Sequence, residues 1–326
     1  MNPRKKDSTR RLIVLMLTAA GASLALAVGA PLTVTVLGLL LFGVLHNVLE
    51  IRYVAGRFAT LLTGRFLALL LALTSGIALC RLTASSWPLG SRYAEVAIGY
   101  AILLAGCWIG LRGIPLLAGL GVLVLGAYAS FCYPAYHFVV PTHLHNLVPL
   151  VFLWDWAGRI ATPRTRLAFR VTQVLWIVCV PLLILAGVLD RWISAAPGVA
   201  ARFVGDGSRI IAATAPPEAA DQIGVRFLVM FAFMQTMHYV VWVGFLPRFA
   251  PEAAAAFDAR VPWLRGRRAW LVGLVGGGFM AVLFLSDYFA GRALYGALAT
   301  YHAYLEFPVL LALVMSPLTV RPGSRE

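Results

Sequence analysis

Two histidine–glutamate pairs with helical spacing are the residues of this chain best suited to chemistry. His46 and Glu50 are four residues apart in one apolar run, and His302 and Glu306 repeat that spacing near the end of the sequence. Residues at positions i and i+4 lie on one face of a helix, so each histidine and its glutamate can face a common partner. Imidazole and carboxylate groups are ligands of iron, manganese and zinc, which makes metal binding the first chemistry to consider.

Three further histidines lie in apolar runs of the sequence. His143 and His145 are two residues apart and would point to opposite faces of an ideal helix, but prolines on either side allow an irregular helix in which both face inward. His238 lies in the stretch MQTMHYVVW at 234–242. An ionisable side chain costs about 2.5–3.5 kcal/mol when charged at the middle of a membrane, so this set calls for a function. The candidate metal ligands are His46, His143, His145, His238 and His302, with Glu50 and Glu306 as further ligands or catalytic bases.

The composition is that of an integral membrane protein. The 326 residues are 61% hydrophobic and only 12% charged, which excludes an ordinary soluble domain. We predict an all-α polytopic transmembrane bundle of about ten spans (nine or ten), forming a single domain over residues 1–326. The first apolar run and its basic flank also fit a cleavable signal peptide, and we expect an uncleaved span instead. The ten apolar segments, each near the ~20 residues that a bilayer requires, are approximately 12–29, 31–51, 66–83, 94–111, 113–132, 135–156, 171–189, 223–246, 269–289 and 293–315.

The distribution of basic residues predicts the orientation. With the N-terminus in the cytoplasm, 20 of the 27 basic residues fall in inner segments, as the positive-inside rule requires for an even number of spans and two cytoplasmic termini. The location predicted is a bacterial inner membrane. The net charge of +14 comes from arginines in short loops, which argues against nucleic acid as a partner. The polar stretch of about 190–222 is predicted to be external, and the basic inner stretch of about 247–268 to be a solvated connector.

Four of the histidines fall at similar depth in the predicted membrane. A rise of about 1.5 Å per residue places them about 15–22 Å below the outer boundary. Glu306 falls in the same layer at about 20 Å, and Glu50 lies at the inner rim at about 28 Å. The common depth predicts one shared site, which could hold two metal ions if both carboxylates coordinate. The four are His46, His145, His238 and His302.

The stretch MQTMHYVVW at 234–242, together with His46, His145 and His302, resembles the Brp/Blh family of integral-membrane carotenoid-cleaving dioxygenases. The resemblance is one of layout over the helical bundle. It implies a non-haem iron held by histidines from several spans and oxidative cleavage of a polyene by dioxygen. The residues by themselves indicate a redox or Lewis-acid metal and a lipid-soluble substrate from the bilayer, with zinc, manganese or haem as alternatives to iron.

Two other functions are consistent with the same residues. A bis-histidine haem protein that carries electrons would need arginines near the haem propionates, and Arg52 and Arg226 are the candidates. A proton-coupled transporter would use the histidines and carboxylates as a relay. The chain shows no convincing inverted repeat of the kind found in many transporters, and its four cysteines lack the CxxCH spacing of covalently attached haem. A membrane-bound metal-dependent oxidoreductase is the favoured function.

Overall fold

A computed structural model describes residues 3–194 and 198–315 of the chain. Within these ranges the secondary structure is entirely helical, which confirms the predicted all-α class. Proline is the first residue of several helices, where its fixed φ angle suits the helix and its missing N–H costs no hydrogen bond. The ten long helices of the described residues are α1 Pro3–Gly29, α2 Pro31–Arg57, α3 Gly64–Thr83, α4 Pro88–Gly110, α5 Gly113–Cys132, α6 Pro134–Ala157, α7 Pro163–Leu185, α8 Asp221–Phe249, α9 Arg267–Ser286 and α10 Tyr288–Met315.

Eight of the long helices in the described ranges are long and apolar enough to cross a membrane. The two others are α6, which contains Pro141 and Pro149, and α10, which contains Pro308. These are also the helices that carry most of the candidate metal ligands. The count of ten spans and the cytoplasmic location of both termini therefore remain predictions. Two of the inner basic residues, Arg321 and Arg325, lie outside the described residues.

The chain divides into two compact units, each assembled from three stretches of sequence. The first contains α1, α6 from Val139 onward, α7, α8, α2 up to His46, and α9 from Gly273. Its central helix is α8, of which 67% of the apolar stretch is buried, and α1 packs against both α7 and α8. An aromatic cluster fills one end of this core, with ring centroids 4.9–6.4 Å apart: Trp156, Phe169, Phe245 and Phe249.

The second unit contains α3, α4 and α5, the end of α2 from Asn47, most of α10, and the basic segment Glu252–Val272. Consecutive helices α3, α4 and α5 pack side by side. Most residues of the basic segment are exposed, as expected for a solvated connector, but hydrogen bonds also join it to α2. Nε and Nη2 of Arg52 donate hydrogen bonds to the two carboxylate oxygens of Asp258, each at 2.7 Å. Arg260 donates hydrogen bonds to two backbone carbonyls in the turn that follows α2. These bonds hold the segment against the end of α2.

The close approach of this segment to α2 depends on Gly56. A Cβ atom at position 56 would lie 2.3 Å from the carbonyl oxygen of Ala253 and 2.8 Å from the Cα atom of Ala254. Both neighbours are backbone atoms, so they cannot rotate away as a flexible side chain would. Only a residue without a side chain allows the contact.

We predict that Gly56→Ala lowers the stability of the protein in detergent by about 1–3 kcal/mol, the usual cost of overpacking. Equilibrium unfolding in mixed micelles would measure the change. The matched control is Gly121→Ala on α5, because a Cβ atom there meets nothing within 4 Å. Alanine normally stabilises a helix relative to glycine, so equal stability losses in the two variants would contradict the packing explanation.

Candidate functional site

Three of the predicted ligands converge in the first unit. His46 on α2, His145 on α6 and His238 on α8 each offer one ring nitrogen, and the three nitrogens lie within 4.8 Å of one another. The ring centroids of His46 and His238 are 5.2 Å apart, and those of His145 and His238 are 4.5 Å apart. His46 and His238 are buried, and His145 is half-buried. Residues far apart in the sequence thus form one compact group.

The geometry of this group fits a bound metal ion. An imidazole nitrogen binds such an ion at about 2.1 Å, so two ring centroids lie about 4.5 to 5.2 Å apart for bond angles of about 90 to 110°. The two centroid separations, 4.5 and 5.2 Å, match the ends of this interval. Nδ1 of His46 lies 3.0 Å from the carbonyl oxygen of Phe42. An N–H donated to that carbonyl fixes the ring and leaves Nε2 as the ligand atom, as in most metal-binding histidines.

Aromatic side chains border the histidine group. The ring of Tyr239 lies 4.7 Å from that of His46, and the ring of Trp242 lies 6.1 Å from that of His238. A π-helical turn, Val240–Phe245, begins directly after Tyr239. Such turns are rare and are frequent at functional sites. Aromatic side chains of this kind commonly line sites for lipid-soluble molecules.

His143 does not join the group, although the sequence includes it among the candidate ligands. Its Nε2 lies 2.7 Å from the carbonyl oxygen of Thr214, and its ring packs edge-on against Phe227 and Phe231. The helix α6 continues across both of its internal prolines. Residues two apart therefore keep their helical directions, about 200° apart, and His143 points away from His145. The structure corrects the expectation that the prolines bring both rings to one site.

The remaining candidates belong to the second unit, where two carboxyl groups are buried together. Glu50 follows His46 by four residues, or about one turn, in the sequence of α2. The carboxyl groups of Glu50 and of Glu306 on α10 are close enough to interact, and both residues are 0% exposed. Two buried carboxyl groups in close proximity do not both ionise, so one of them is expected to carry a proton. The buried His302 lies one turn before Glu306. The assignment of Glu50, Glu306 and His302 to a metal centre remains a prediction.

The sequence does not predict the ion pair in the second unit between Arg81, which is 31% exposed, and the buried Glu95 on α4. Arg81 donates to Glu95 from two nitrogens at 2.6 and 2.9 Å and to the carbonyl oxygen of Gly296 at 2.8 Å. The hydroxyl of Tyr304 donates to the same carboxylate at 3.4 Å. An acidic residue inside an apolar run, such as Glu95, was the available signal, because a charge there needs a partner.

The two arginines that a haem protein would need are engaged with carboxylates. Arg52 forms the pair with Asp258 described above, and Arg226 donates to both carboxylate oxygens of Asp190. The hydrogen bond from Arg226 is the main cause that holds the pKa of Asp190 below its usual range. Neither guanidinium is placed to neutralise a haem propionate without breaking a salt bridge, which weakens the haem alternative.

No family model, curated protein or solved structure matches this chain. The resemblance to the Brp/Blh family therefore stays an expectation from the sequence. Function has to be inferred from the chemistry of the histidine and carboxyl groups themselves.

The buried carboxyl pair leads to a prediction about Glu306. Glu306→Ala removes one partner and leaves the other carboxyl group buried, so we expect a stability loss of about 1–3 kcal/mol. Glu306→Gln is the matched control, because an amide replaces a protonated carboxyl group and keeps a hydrogen-bond donor. We expect this variant to stay within about 1 kcal/mol of the parent protein in equilibrium unfolding. Equal losses in both variants would argue against a shared proton.

Proposed function

We propose that this protein is an integral-membrane metalloenzyme that holds a non-haem iron through His46, His145 and His238 and acts on a lipid-soluble substrate. The observation that carries the proposal is the convergence of three ring nitrogens from three helices within 4.8 Å. Neutral imidazoles grouped this closely can offer their lone pairs to one cation, and a metal ion accepts them without protonation of buried rings.

The donor set favours iron among the metals that imidazole binds. Neutral imidazoles without thiolates suit iron, zinc or manganese, and histidine sites that keep coordination positions open are typical of non-haem iron oxygenases. Zinc and manganese are the alternatives that metal analysis distinguishes. Bound iron would supply the activation of dioxygen for oxidative cleavage of a carbon–carbon double bond. Both oxygen atoms end in the two carbonyl products, so this reaction consumes no external electron donor.

The chain's own residues supply the environment for such a reaction. The carbonyl of Phe42 fixes the ring of His46, and the rings of Tyr239 and Trp242 pack beside His46 and His238. A site with these walls favours an apolar substrate that enters from the bilayer. Polyene cleavage is the reaction that the family resemblance implies. The placement in a bacterial inner membrane rests on the positive-inside distribution of the arginines.

A proton-coupled transporter is the second candidate, and the buried pair of carboxyl groups of Glu50 and Glu306 favours it. Two buried carboxyl groups, with His302 one turn away on α10, resemble one step of a proton relay. The metalloenzyme is preferred because a pair of carboxyl groups does not explain the three converging imidazoles of the first unit.

Metal analysis and a visible absorption spectrum of the protein, purified in mild detergent without a histidine tag, test the proposal. We expect one or two irons per chain and no Soret band. A Soret band would replace the proposal by a haem protein. A colourless protein without metal would leave the transporter as the better explanation.

Alanine substitutions then identify the ligands. His46→Ala, His145→Ala and His238→Ala should each lower the bound iron by on the order of tenfold or more, since loss of even an outer hydrogen-bond partner costs metal sites that much. His143→Ala and His137→Ala are the controls and should keep their iron, because His143 bonds to Thr214 and His137 to Ser130. His302→Ala in the same series tests the predicted fourth histidine. Full iron content in any two of the first three variants would overturn the proposed ligand set.

A further inference from the structure

Two buried polar atoms in the first unit lack a hydrogen-bond partner. They are Oε1 of Gln235 on α8 and Oγ1 of Thr35 on α2. Gln235 is 6% exposed and Thr35 is 5% exposed. If the oxygen and nitrogen of the Gln235 amide are exchanged, one of these two atoms still has no hydrogen-bond partner, because only one of them bonds to Tyr239. A buried polar group without a partner is unfavourable, so both atoms call for a molecule that bonds to them.

Thr35 lies on the face of α2 that is directed toward Tyr239, and Gln235 lies on α8 beside that face. Thr35, Phe42 and His46 share one face of α2 through their spacing of seven and four residues. Gly38 lies on the same face, and a Cβ atom there would be 3.4 Å from the ring of Tyr239 and 3.6 Å from the Gln235 amide nitrogen. The amide of Gln235 is therefore beside α2, one turn after Thr35.

Tyr239 joins this polar position to the histidine group. Its hydroxyl accepts a hydrogen bond from Nε2 of Gln235 at 2.8 Å, and its ring lies 4.7 Å from that of His46. About the length of one tyrosine side chain thus separates the amide of Gln235 from the ring of His46. The remaining wall is apolar, with the ring of Phe42 5.7 Å from that of Tyr239.

The chemistry of the two atoms indicates the group that would bind. A carboxamide oxygen accepts hydrogen bonds and a threonine hydroxyl both donates and accepts. A hydroxyl group satisfies both, since it donates to Gln235 and exchanges a hydrogen bond with Thr35. If the Gln235 amide has the opposite orientation, the same hydroxyl group can accept a hydrogen bond from the amide nitrogen. An apolar chain attached to that hydroxyl matches the aromatic surroundings.

We propose that Gln235 and Thr35 form a subsite for the hydroxyl group of a lipid-soluble alcohol, next to the histidine group of the first unit. Its role in placing a substrate for the metal rests on the proposed function, whereas binding of the alcohol does not need the metal. An isolated water molecule is the other source of a hydroxyl, and the experiment distinguishes the two.

Photolabelling in detergent micelles tests the subsite. The probes are a diazirine-bearing long-chain alcohol and the same diazirine hydrocarbon with hydrogen in place of the hydroxyl, and peptide mapping by mass spectrometry reads the labelled residues. We expect the alcohol to label α2 and α8 about fivefold more than the hydrocarbon, the effect of about one hydrogen bond. Unlabelled alcohol should compete with the probe, and the corresponding alkane should not. Equal labelling by both probes would mean that only water occupies the position and would overturn the proposal.

Variants locate the hydroxyl contact. Gln235→Leu and Thr35→Val keep the side-chain volume and should lower the alcohol-to-hydrocarbon ratio to about one if the polar atoms bind the hydroxyl. The matched control is Gln173→Leu on α7, because the amide of Gln173 is buried but already bonded to Phe169 and Trp176. An unchanged ratio in both Gln235→Leu and Thr35→Val would also overturn the proposal. Labelling is measured with and without bound iron. A protein that binds no iron would contradict the proposed enzyme, but the labelling ratio would still test the alcohol subsite.

Discussion

A polar side chain buried among apolar helices has to find a partner, and this constraint shapes both units of the protein. Water cannot compensate for a missing hydrogen bond in such surroundings, and an unpaired charge costs several kcal/mol. Arg81 therefore pairs with Glu95, Arg52 with Asp258 and Glu50 with Glu306. The pairs bring distant parts of the sequence together within the second unit, so they position helices as well as neutralise charge.

The histidine group of the first unit meets the same requirement in a different way. Its three rings come from α2, α6 and α8, and one nitrogen of each ring lies within 4.8 Å of the others. His143 shows the alternative, since its ring is satisfied by the carbonyl of Thr214 and needs no further partner. Convergence of imidazoles is useful mainly where a cation is to be held. This contrast between neighbouring histidines on one helix is the strongest reason to treat the group as a metal centre.

The helix α8 connects the features of the first unit that bear on function. It carries His238, and its π-helical turn begins two residues later, at Val240. Tyr239 packs against His46 and is hydrogen-bonded to Gln235. Most of this helix is buried, so its side chains are held by packing and keep fixed positions. In the proposed function, this one helix would supply a metal ligand, an aromatic wall and a hydrogen-bonding subsite, and so could orient one extended apolar molecule.

The sequence by itself determined the helices and the candidate ligands, because runs of about twenty apolar residues have few alternatives to a helix and buried ionisable residues are costly. It also indicated His46, His145 and His238 through their common depth. Only the tertiary structure separated His145 from His143, since the prolines left the helix regular enough for the two rings to diverge. The partners of Arg52, Arg81 and Glu306 were likewise decided by packing. Each bond joins residues on different helices or segments, and a periodic pattern along one chain gives the face of a helix but not the helix that covers it.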